Sequence, residues 1–209
     1  MRAHKASTDI RQEQIARAAM KLLAVRGWQR VSLVAIAREV GVVPSAVYRH
    51  FKGKNQVLEA VLELVNESFQ ANVRAVRAET NDPLAQLRGV FTRHVQLITS
   101  GVPVPRIVLS EDVFTGSARH RHRVQAIYQA YLDQLAAMVR QGQQQGQLRR
   151  ELPADTLALM WLGLVQSPAI LWLLSHGSFD LRQHCARAWD LFEQTIRARR
   201  SGRAKSPTL

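Results

Sequence analysis

Apolar residues recur at three- and four-residue spacing along nearly the whole 209-residue chain, and no run of β-branched residues alternates at a period of two. This spacing places apolar side chains on one face of successive α-helices and gives no indication of a sheet. Ile15, Ala19 and Leu22, for example, share one stripe of a helix from about Thr8 to Val25. Since 46% of the residues are hydrophobic and 22% charged, the chain can also bury a core. The sequence therefore predicts an all-α fold.

The N-terminal part of the chain predicts three helices with a tight turn between the second and the third. Ser32 is suited to cap the second helix, and Gly41 is suited to end it. Pro44 can occupy the first turn of the third helix, because the missing N–H is not needed there, and this helix should run to about Phe51. Two short helices joined by about four residues that include a glycine are typical of a helix-turn-helix.

Basic residues are concentrated at the same end. The chain has 29 Lys and Arg residues against 16 Asp and Glu, a net charge of +13. From Met1 to Lys54 there are eleven basic and three acidic residues, so about a quarter of the chain carries +8. Such an excess suits a polyanionic partner, either a nucleic acid or an anionic membrane surface.

The third helix carries the candidate DNA-reading side chains. Three residues four apart are expected to face inward, namely Val43, Val47 and Phe51. Ser45, Tyr48 and Arg49 then face outward, and Arg49 can bind guanine bidentately or clamp a phosphate. Lys54, at the start of a fourth helix, adds to an anion site. With the flanking positions, the candidate DNA contacts are Ser32, Val43, Pro44, Ser45, Tyr48, Arg49, His50, Lys52 and Lys54.

The stretch AIAREVGVVPSAVYRHFKGKNQVLEAV resembles the signature of the TetR family of bacterial one-component regulators, and the match runs over about residues 11–62. The residues that carry the resemblance are Ala37, Gly41, Val42, Val47, Tyr48, His50, Phe51 and Lys54. The chain departs from the family at one point. Val43 and Pro44 stand where many members have Ser or Thr, so a hydroxyl cap and a phosphate contact are absent and base preference cannot be copied from relatives.

The resemblance implies a fold, a domain organisation and a set of partners. It implies an N-terminal DNA-binding domain over 1–54 and a C-terminal helical effector-binding and dimerisation domain over 55–200. The basic residues that follow the last helix predict a disordered tail over 201–209. The partners would be a double-stranded DNA operator, a second copy of the chain and an unidentified small-molecule effector. Family dimers usually pair their last two long helices, so the candidate dimer contacts are Leu164, Ile170, Leu171, Trp189, Phe192 and Ile196.

The function implied is that of a repressor that binds a palindromic operator as a homodimer and is released by a small, largely apolar effector. Ligand sites in helical domains are mostly apolar with a few polar groups. The candidate effector contacts are Phe91, His94, Val95, Tyr128, Tyr131, Trp161 and Gln166. The alternative for each of them is a plain core residue, since aromatic side chains at helical spacing are usually buried packing.

The segment from Leu157 to Leu174 is almost wholly apolar and about long enough to span a bilayer. Gln166 and Ser167 interrupt it, and Pro168 should kink the helix or end it early. We predict a helix covered by its own domain and by a partner chain, and no membrane. A peripheral membrane protein is the alternative, because basic charge and apolar helices would suit it too.

No cofactor, metal or enzymatic motif is predicted. His120 and His122 lie two apart on a predicted helix and point away from each other, and His184 beside Cys185 lacks further ligands. We find no G-x-S-x-G, H-E-x-x-H or Gly-rich phosphate loop. A single cysteine and a start without an apolar signal segment favour the cytoplasm. Gly142 and Gly146 are expected to fray the long helix before them.

Overall fold

The computed structural model describes residues 2–102, 104–108, 110, 111, 113 and 117–198, with only the backbone described for residues 2–7 and 108. The predicted tail over 201–209 lies outside the described residues. Within them the chain is helical, with no β-strand and one isolated bridge between Leu148 and Arg197. The helices are α1 (Arg2–Arg26), α2 (Leu33–Val40), α3 (Pro44–His50), α4 (Lys54–Glu79), α5 (Pro83–Thr99), α6 (Val104–Val108), α7 (Ala118–Gln144), α8 (Ala154–Leu174) and α9 (Leu181–Ile196). The all-α prediction is confirmed.

Helices α1, α2 and α3, with a 3-10 turn at Trp28–Arg30, form an N-terminal unit that we call the head. Local signals set its helix ends as predicted. The Ser32 hydroxyl oxygen accepts a hydrogen bond from the Ala35 N–H at 3.1 Å, which caps α2. Gly27 and Gly41 follow α1 and α2 with φ of 72° and 78°, values that favour glycine. α1 is longer than predicted, because it begins at Arg2 rather than near Thr8.

Helix α3 begins at Pro44, as predicted, and buries Val47 and Phe51 against α1 and α2. The prediction that Val43 faces inward was wrong, since 63% of this residue is exposed. Val43 is the N-cap and has an extended backbone, with φ −71° and ψ 146°. Helical spacing therefore does not apply to it, and its side chain points away from the stripe that Val47 and Phe51 form.

Helix α4 joins the head to the C-terminal helices, which we call the C-terminal domain (α5 to α9 with the second half of α4). Its first turns bury Val57 and Leu58, and its last turns bury Phe69 and Val73. It contacts α1 in the head and α5 and α7 in the C-terminal domain. A single continuous helix therefore carries residues of both cores.

The predicted fraying at Gly142 was wrong. Helix α7 continues to Gln144, and Gly142 is buried against Leu148, so that a Cβ at residue 142 would lie 2.7 Å from Leu148 Cδ1. A glycine is thus required at position 142, because Leu148 packs directly against it. After the helix ends, Gly146 turns the chain with a φ of 71°. The sequence pattern gave no sign of this contact, because it depends on residues outside the helix.

Pro168 does not end α8, which continues to Leu174. A proline removes the N–H that would bond to the carbonyl four residues earlier, which here belongs to Leu164. The Cys185 thiol on α9 lies 3.8 Å from that carbonyl oxygen and can donate to it. A neighbouring helix thus supplies a weak donor where the proline removes one.

Helix α8 is also the one helix in the described part of the chain that is long and apolar enough to cross a membrane, and 33% of its apolar window is buried. Trp161, Val165 and Ala169 face the core of the C-terminal domain. Leu159, Met160, Leu171 and Leu174 are exposed on the other side. An apolar surface therefore remains uncovered on this helix.

Candidate nucleic-acid interface and effector site

The outer side of α3 presents polar side chains to solvent. Ser45 and Arg49 are exposed, Tyr48 is 54% exposed, and His50 is half-buried at the end of the helix. Val43 and Pro44 are exposed just before Ser45. Since Val47 and Phe51 anchor the opposite side, the backbone of α3 is held while its polar side chains remain free to contact a partner.

The positive charge on this surface is not neutralised by the protein. The acidic residues Glu13 and Glu39 pair with Arg17 and Lys21 elsewhere in the head. Among the described residues, no ion pair involves Arg49 or Lys52. Unpaired cations on an exposed helix are the groups that phosphates and guanine edges attract.

The segment between α3 and α4 is held by a hydrogen bond from the Lys52 N–H to Gln56 Oε1, at 2.8 Å. Gln56 lies in the first turn of α4, so it closes the loop over Gly53 and leaves the Lys52 side chain exposed. Ser32 is also exposed, and its hydroxyl proton remains available while its oxygen caps α2. Both positions are open to a phosphate backbone.

Lys54 is the first residue of α4, as predicted, and it also makes a contact that the prediction did not include. Its ammonium lies 4.9 Å from the centre of the Trp28 ring and 3.4 Å from the Gln29 carbonyl oxygen. The first residue of α4 therefore contacts the 3-10 turn of the head, and the distance to the Trp28 ring is that of a cation–π interaction. Sequence reasoning missed Trp28; an aromatic residue directly after the glycine that ends α1 was the available signal.

Comparison with known proteins identifies the family to which this helix-turn-helix belongs. Residues 15–61 match the family profile described as "Bacterial regulatory proteins, tetR family", and residues 80–196 match that described as "Tetracyclin repressor-like, C-terminal domain". The chain belongs to the TetR family. It is therefore a transcriptional regulator of a family whose members bind DNA through an N-terminal helix-turn-helix, which here comprises α2 and α3.

Individual relatives cover nearly the whole chain. The nucleoid occlusion factor SlmA of Vibrio atlanticus is 24% identical over 191 residues, 90% of this chain and 96% of that protein. A TetR transcriptional regulator from Chloroflexus aurantiacus superposes with a TM-score of 0.79 at 18% identity, covering 93% of this chain and all of that one. FadR of Bacillus subtilis, solved with stearoyl-CoA, superposes with a TM-score of 0.73 at 21% identity, covering 88% of this chain and 98% of FadR. These similarities to solved structures show a shared fold.

The C-terminal domain of this TetR-family chain contains an aromatic cluster around His94. The Phe69 ring stacks on those of His94 and Tyr131, with centroid distances of 5.1 and 4.6 Å. Trp161 meets His94 edge-on at 5.9 Å and donates from Nε1 to the Leu87 carbonyl at 3.2 Å. The structure thus brings three predicted effector contacts together. Sequence reasoning missed Phe69, which it treated only as part of the apolar stripe of α4.

The polar atoms in this cluster are uncharged at neutral pH. Burial lowers the pKa of His94 to about 4, and its Nδ1 lies 3.1 Å from the Tyr131 hydroxyl. Burial also raises the pKa of Tyr131, and it raises that of Tyr128 against the opposing effect of the hydrogen bond from the Gln166 amide. The other ring nitrogen of His94, Nε2, is buried without a hydrogen-bond partner. The aromatic cluster therefore contains a polar atom that remains unsatisfied.

The remaining effector candidates lie at the edge of this cluster. Phe91 packs edge-on against Trp161, with ring centroids 5.5 Å apart. Phe91 and Val95 also line a small cavity of about 140 Å³ between α5 and α9, together with Cys185. Burial raises the pKa of the Cys185 thiol to about 11, so the thiol is protonated at neutral pH.

The predicted dimer contacts fall into two groups. Trp189, Phe192 and Ile196 on α9 are buried inside the protomer, where the Trp189 ring packs 5.2 Å from that of Phe91. Their side chains complete the protomer's own core, which the sequence pattern did not show, and a role for these three in dimerisation stays a prediction. Leu164 and Ile170 are half-buried, whereas Leu171 is exposed.

No group of three or more His, Cys, Asp or Glu residues within the described ranges is arranged to hold a metal ion. His120 lies on α7 with its Nε2 3.7 Å from Glu59 Oε1, and the Arg119 Nε approaches the same carboxylate oxygen at 2.9 Å. The ion pair of Arg119 with Glu59 joins α7 to α4, and His120 packs beside it. They therefore have a structural explanation.

Proposed function

We propose that this TetR-family protein is a ligand-responsive repressor that binds a palindromic operator as a homodimer in the cytoplasm. DNA contact would be made by α3 and its flanks, and release would follow the binding of a largely apolar effector in the C-terminal domain. The functional boundary would lie near Lys54, although α4 runs through it without a break. The observation that carries the proposal is the exposed, unneutralised polar surface of α3.

The proposed roles of the α3 residues follow from their chemistry. Arg49 would contact a guanine edge in the major groove, because its guanidinium can donate two parallel hydrogen bonds. Tyr48 and Ser45 would contact phosphate or base edges, and phosphate contacts set the register of a protein on the duplex. His50, Ser32 and Lys52 would contact the DNA phosphate backbone beside these residues. Lys54 would act through Trp28, by holding the 3-10 turn against α4.

Dimerisation is proposed through the exposed apolar surface of the last two long helices. On α8, Met160, Leu171 and Leu174 recur at helical spacing along one side, and Leu191 is exposed on α9. Exposed apolar residues that form a continuous stripe are typical of a protein interface. A two-fold pairing of this stripe with its copy would bury it and would place two α3 helices on one duplex.

The effector would enter the aromatic cluster of the C-terminal domain. His94 Nε2 supports this position, because a buried nitrogen without a partner can be satisfied by a polar atom of a ligand. The surrounding Phe69, Tyr131 and Trp161 rings would contact its apolar body. The similarity to FadR, which was solved with stearoyl-CoA, agrees with an apolar ligand.

A gel-shift with DNA from upstream of the chain's own gene tests the proposed function. We expect that fragment to be preferred over bulk DNA, with an affinity that falls steeply as salt is raised, since phosphate contacts release counterions. Footprinting should then show two protected half-sites about one helical turn, or a multiple of it, apart. Equal affinity for all DNA at every salt concentration would contradict the proposal.

A further inference from the structure

A groove separates the head from the C-terminal domain, and none of the residues that line it belongs to the aromatic cluster. It has a volume of about 430 Å³ and lies between the 3-10 turn, α6 and the C-terminal end of α8. Trp28, Pro105, Ile170 and Leu173 form its apolar wall, and all four are buried or half-buried. Small-molecule sites in proteins usually have volumes of about 300–1,000 Å³. The groove is thus large enough for a ligand.

Arginines surround the apolar wall. Arg26, Arg30 and Arg106 line the groove, and they come from three different segments of the chain. No ion pair or hydrogen bond among the described residues involves any of their guanidinium groups. Glu111 is the one acidic residue in the described lining. The groove therefore offers an uncompensated positive charge beside an apolar surface.

We propose that this groove is a second small-molecule site, which binds a linear amphipathic anion such as a medium-chain fatty carboxylate. The carboxylate would be bound by Arg30 and Arg106, because a guanidinium donates paired hydrogen bonds to a carboxylate. The hydrocarbon chain would lie against Ile170 and Leu173, where burial of apolar surface stabilises it. An uncharged alcohol of the same length would gain only the burial of its hydrocarbon chain, so it should bind more weakly.

The position of the groove links this ligand to the head. The Trp28 ring, which forms part of its wall, also contacts the Lys54 ammonium at the start of α4. The opposite wall is the end of α8, beside the exposed Leu171 and Leu174. A molecule held between them would oppose movement of the head relative to α8. This consequence, unlike the binding itself, rests on the proposed function.

Titration calorimetry of the full-length chain with sodium octanoate tests the site directly and without DNA. We expect one saturable site per protomer, with much weaker binding of 1-octanol. Arg30→Gln and Arg106→Gln should each weaken octanoate binding by about tenfold, because each removes a charge-assisted hydrogen bond. Arg77→Gln is the matched control, since Arg77 is an exposed arginine on α4 away from the groove, and it should bind as the wild type does.

Three results would overturn the site. They are no saturable binding, equal affinity for octanoate and 1-octanol, and unchanged affinity in both groove variants, which would place the ligand elsewhere. Thermal melting shows whether each variant is folded; all three changes are at exposed residues and should leave the melting temperature within the wild-type range. In the gel-shift, octanoate at a concentration near its dissociation constant for the wild type should change the specific affinity of the wild type and change that of Arg106→Gln much less. A protein that binds octanoate through these arginines yet never prefers a DNA sequence would overturn the proposed function and not the site.

Discussion

Arginines on the helix-turn-helix and several arginines of the C-terminal domain are the same side chain in two opposite situations. In the C-terminal domain, Arg93 pairs with Glu79 and Arg140 pairs with Asp155. Further arginines of this domain pair with residues distant in sequence, namely Arg88 with Asp190, and Arg119 and Arg123 with Glu59 and Glu63 in the first half of α4. In the head, by contrast, Arg49 and Arg38 on the helix-turn-helix take part in no ion pair among the described residues.

This difference shows where the net charge acts. Exposed ion pairs contribute little to stability, typically about 0–1 kcal/mol, but they cancel the field of the cations. Cations without such partners keep their field and can be neutralised by phosphates instead. The aromatic cluster of the C-terminal domain in turn holds its histidine and tyrosines uncharged. Changes in the head should therefore alter DNA binding, and changes in the C-terminal core should alter stability.

Truncating one aromatic residue in each region gives the largest contrast. Trp161→Ala should lower the free energy of unfolding by about 3–5 kcal/mol, because it empties a fully buried site and removes the hydrogen bond to Leu87. Tyr48→Ala, at an exposed position on α3, should change that free energy by less than about 0.5 kcal/mol and should weaken specific DNA binding. Chemical denaturation at one protein concentration measures the free energy of unfolding of both variants. Equal losses of that free energy in the two variants would contradict the comparison.

Leu171→Glu should act on assembly rather than on either core. A carboxylate placed in the exposed apolar stripe of α8 would be desolvated in the proposed dimer, at a cost of about 2–4 kcal/mol. We expect sedimentation velocity to show a dimer for the wild type and a monomer for this variant. Ile10→Glu makes the same kind of change at an exposed residue of α1 and should leave the dimer intact. A Leu171→Glu variant that still dimerises would remove α8 from the interface.

The buried His94 predicts an acid-sensitive C-terminal domain. Its pKa of about 4 in the folded protein lies below the value of about 6.5 expected on unfolding, so protons bind the unfolded state first. This contribution to stability is complete above about pH 6.5 and decreases as the pH falls toward 4, by about 2 kcal/mol between pH 7 and pH 5.

Denaturation at several pH values checks this prediction. His94→Gln should flatten the decrease between pH 7 and pH 5, because glutamine does not titrate. His184→Gln, at an exposed position on α9, should retain it. An identical pH dependence in the wild type and in His94→Gln would contradict the burial of a neutral imidazole.

The head was largely predictable because its determinants are local. Ser32, Gly41 and Pro44 act on the backbone within a few residues of their own position, and the structure has each in its predicted place. Val43 was placed wrongly because a helical stripe was extended through an N-cap with extended backbone. Lys54 was expected only as an anion contact, because its partner Trp28 is far away in the sequence.

The C-terminal domain was less predictable because contacts between helices decide it. The apolar pattern identified α8 and α9, but the pattern does not tell which apolar side faces the protomer's own core. Trp189 and Phe192 were therefore predicted only as dimer contacts, whereas the structure buries them in the protomer's own core. Two further contacts also join residues from separate elements, namely that of Gly142 with Leu148 and that of the Cys185 thiol with the Leu164 carbonyl. Spacing along one helix contains no information on such pairs.

The central claim, that α3 reads DNA, is tested most directly by fluorescence anisotropy with labelled DNA from upstream of the gene and with bulk DNA. Arg49→Ala should weaken binding to the preferred sequence by about 1–3 kcal/mol and lower the preference over bulk DNA. Arg77→Ala, an exposed arginine on α4, should behave as the wild type. A folded Arg49→Ala protein with wild-type affinity and preference would contradict the account.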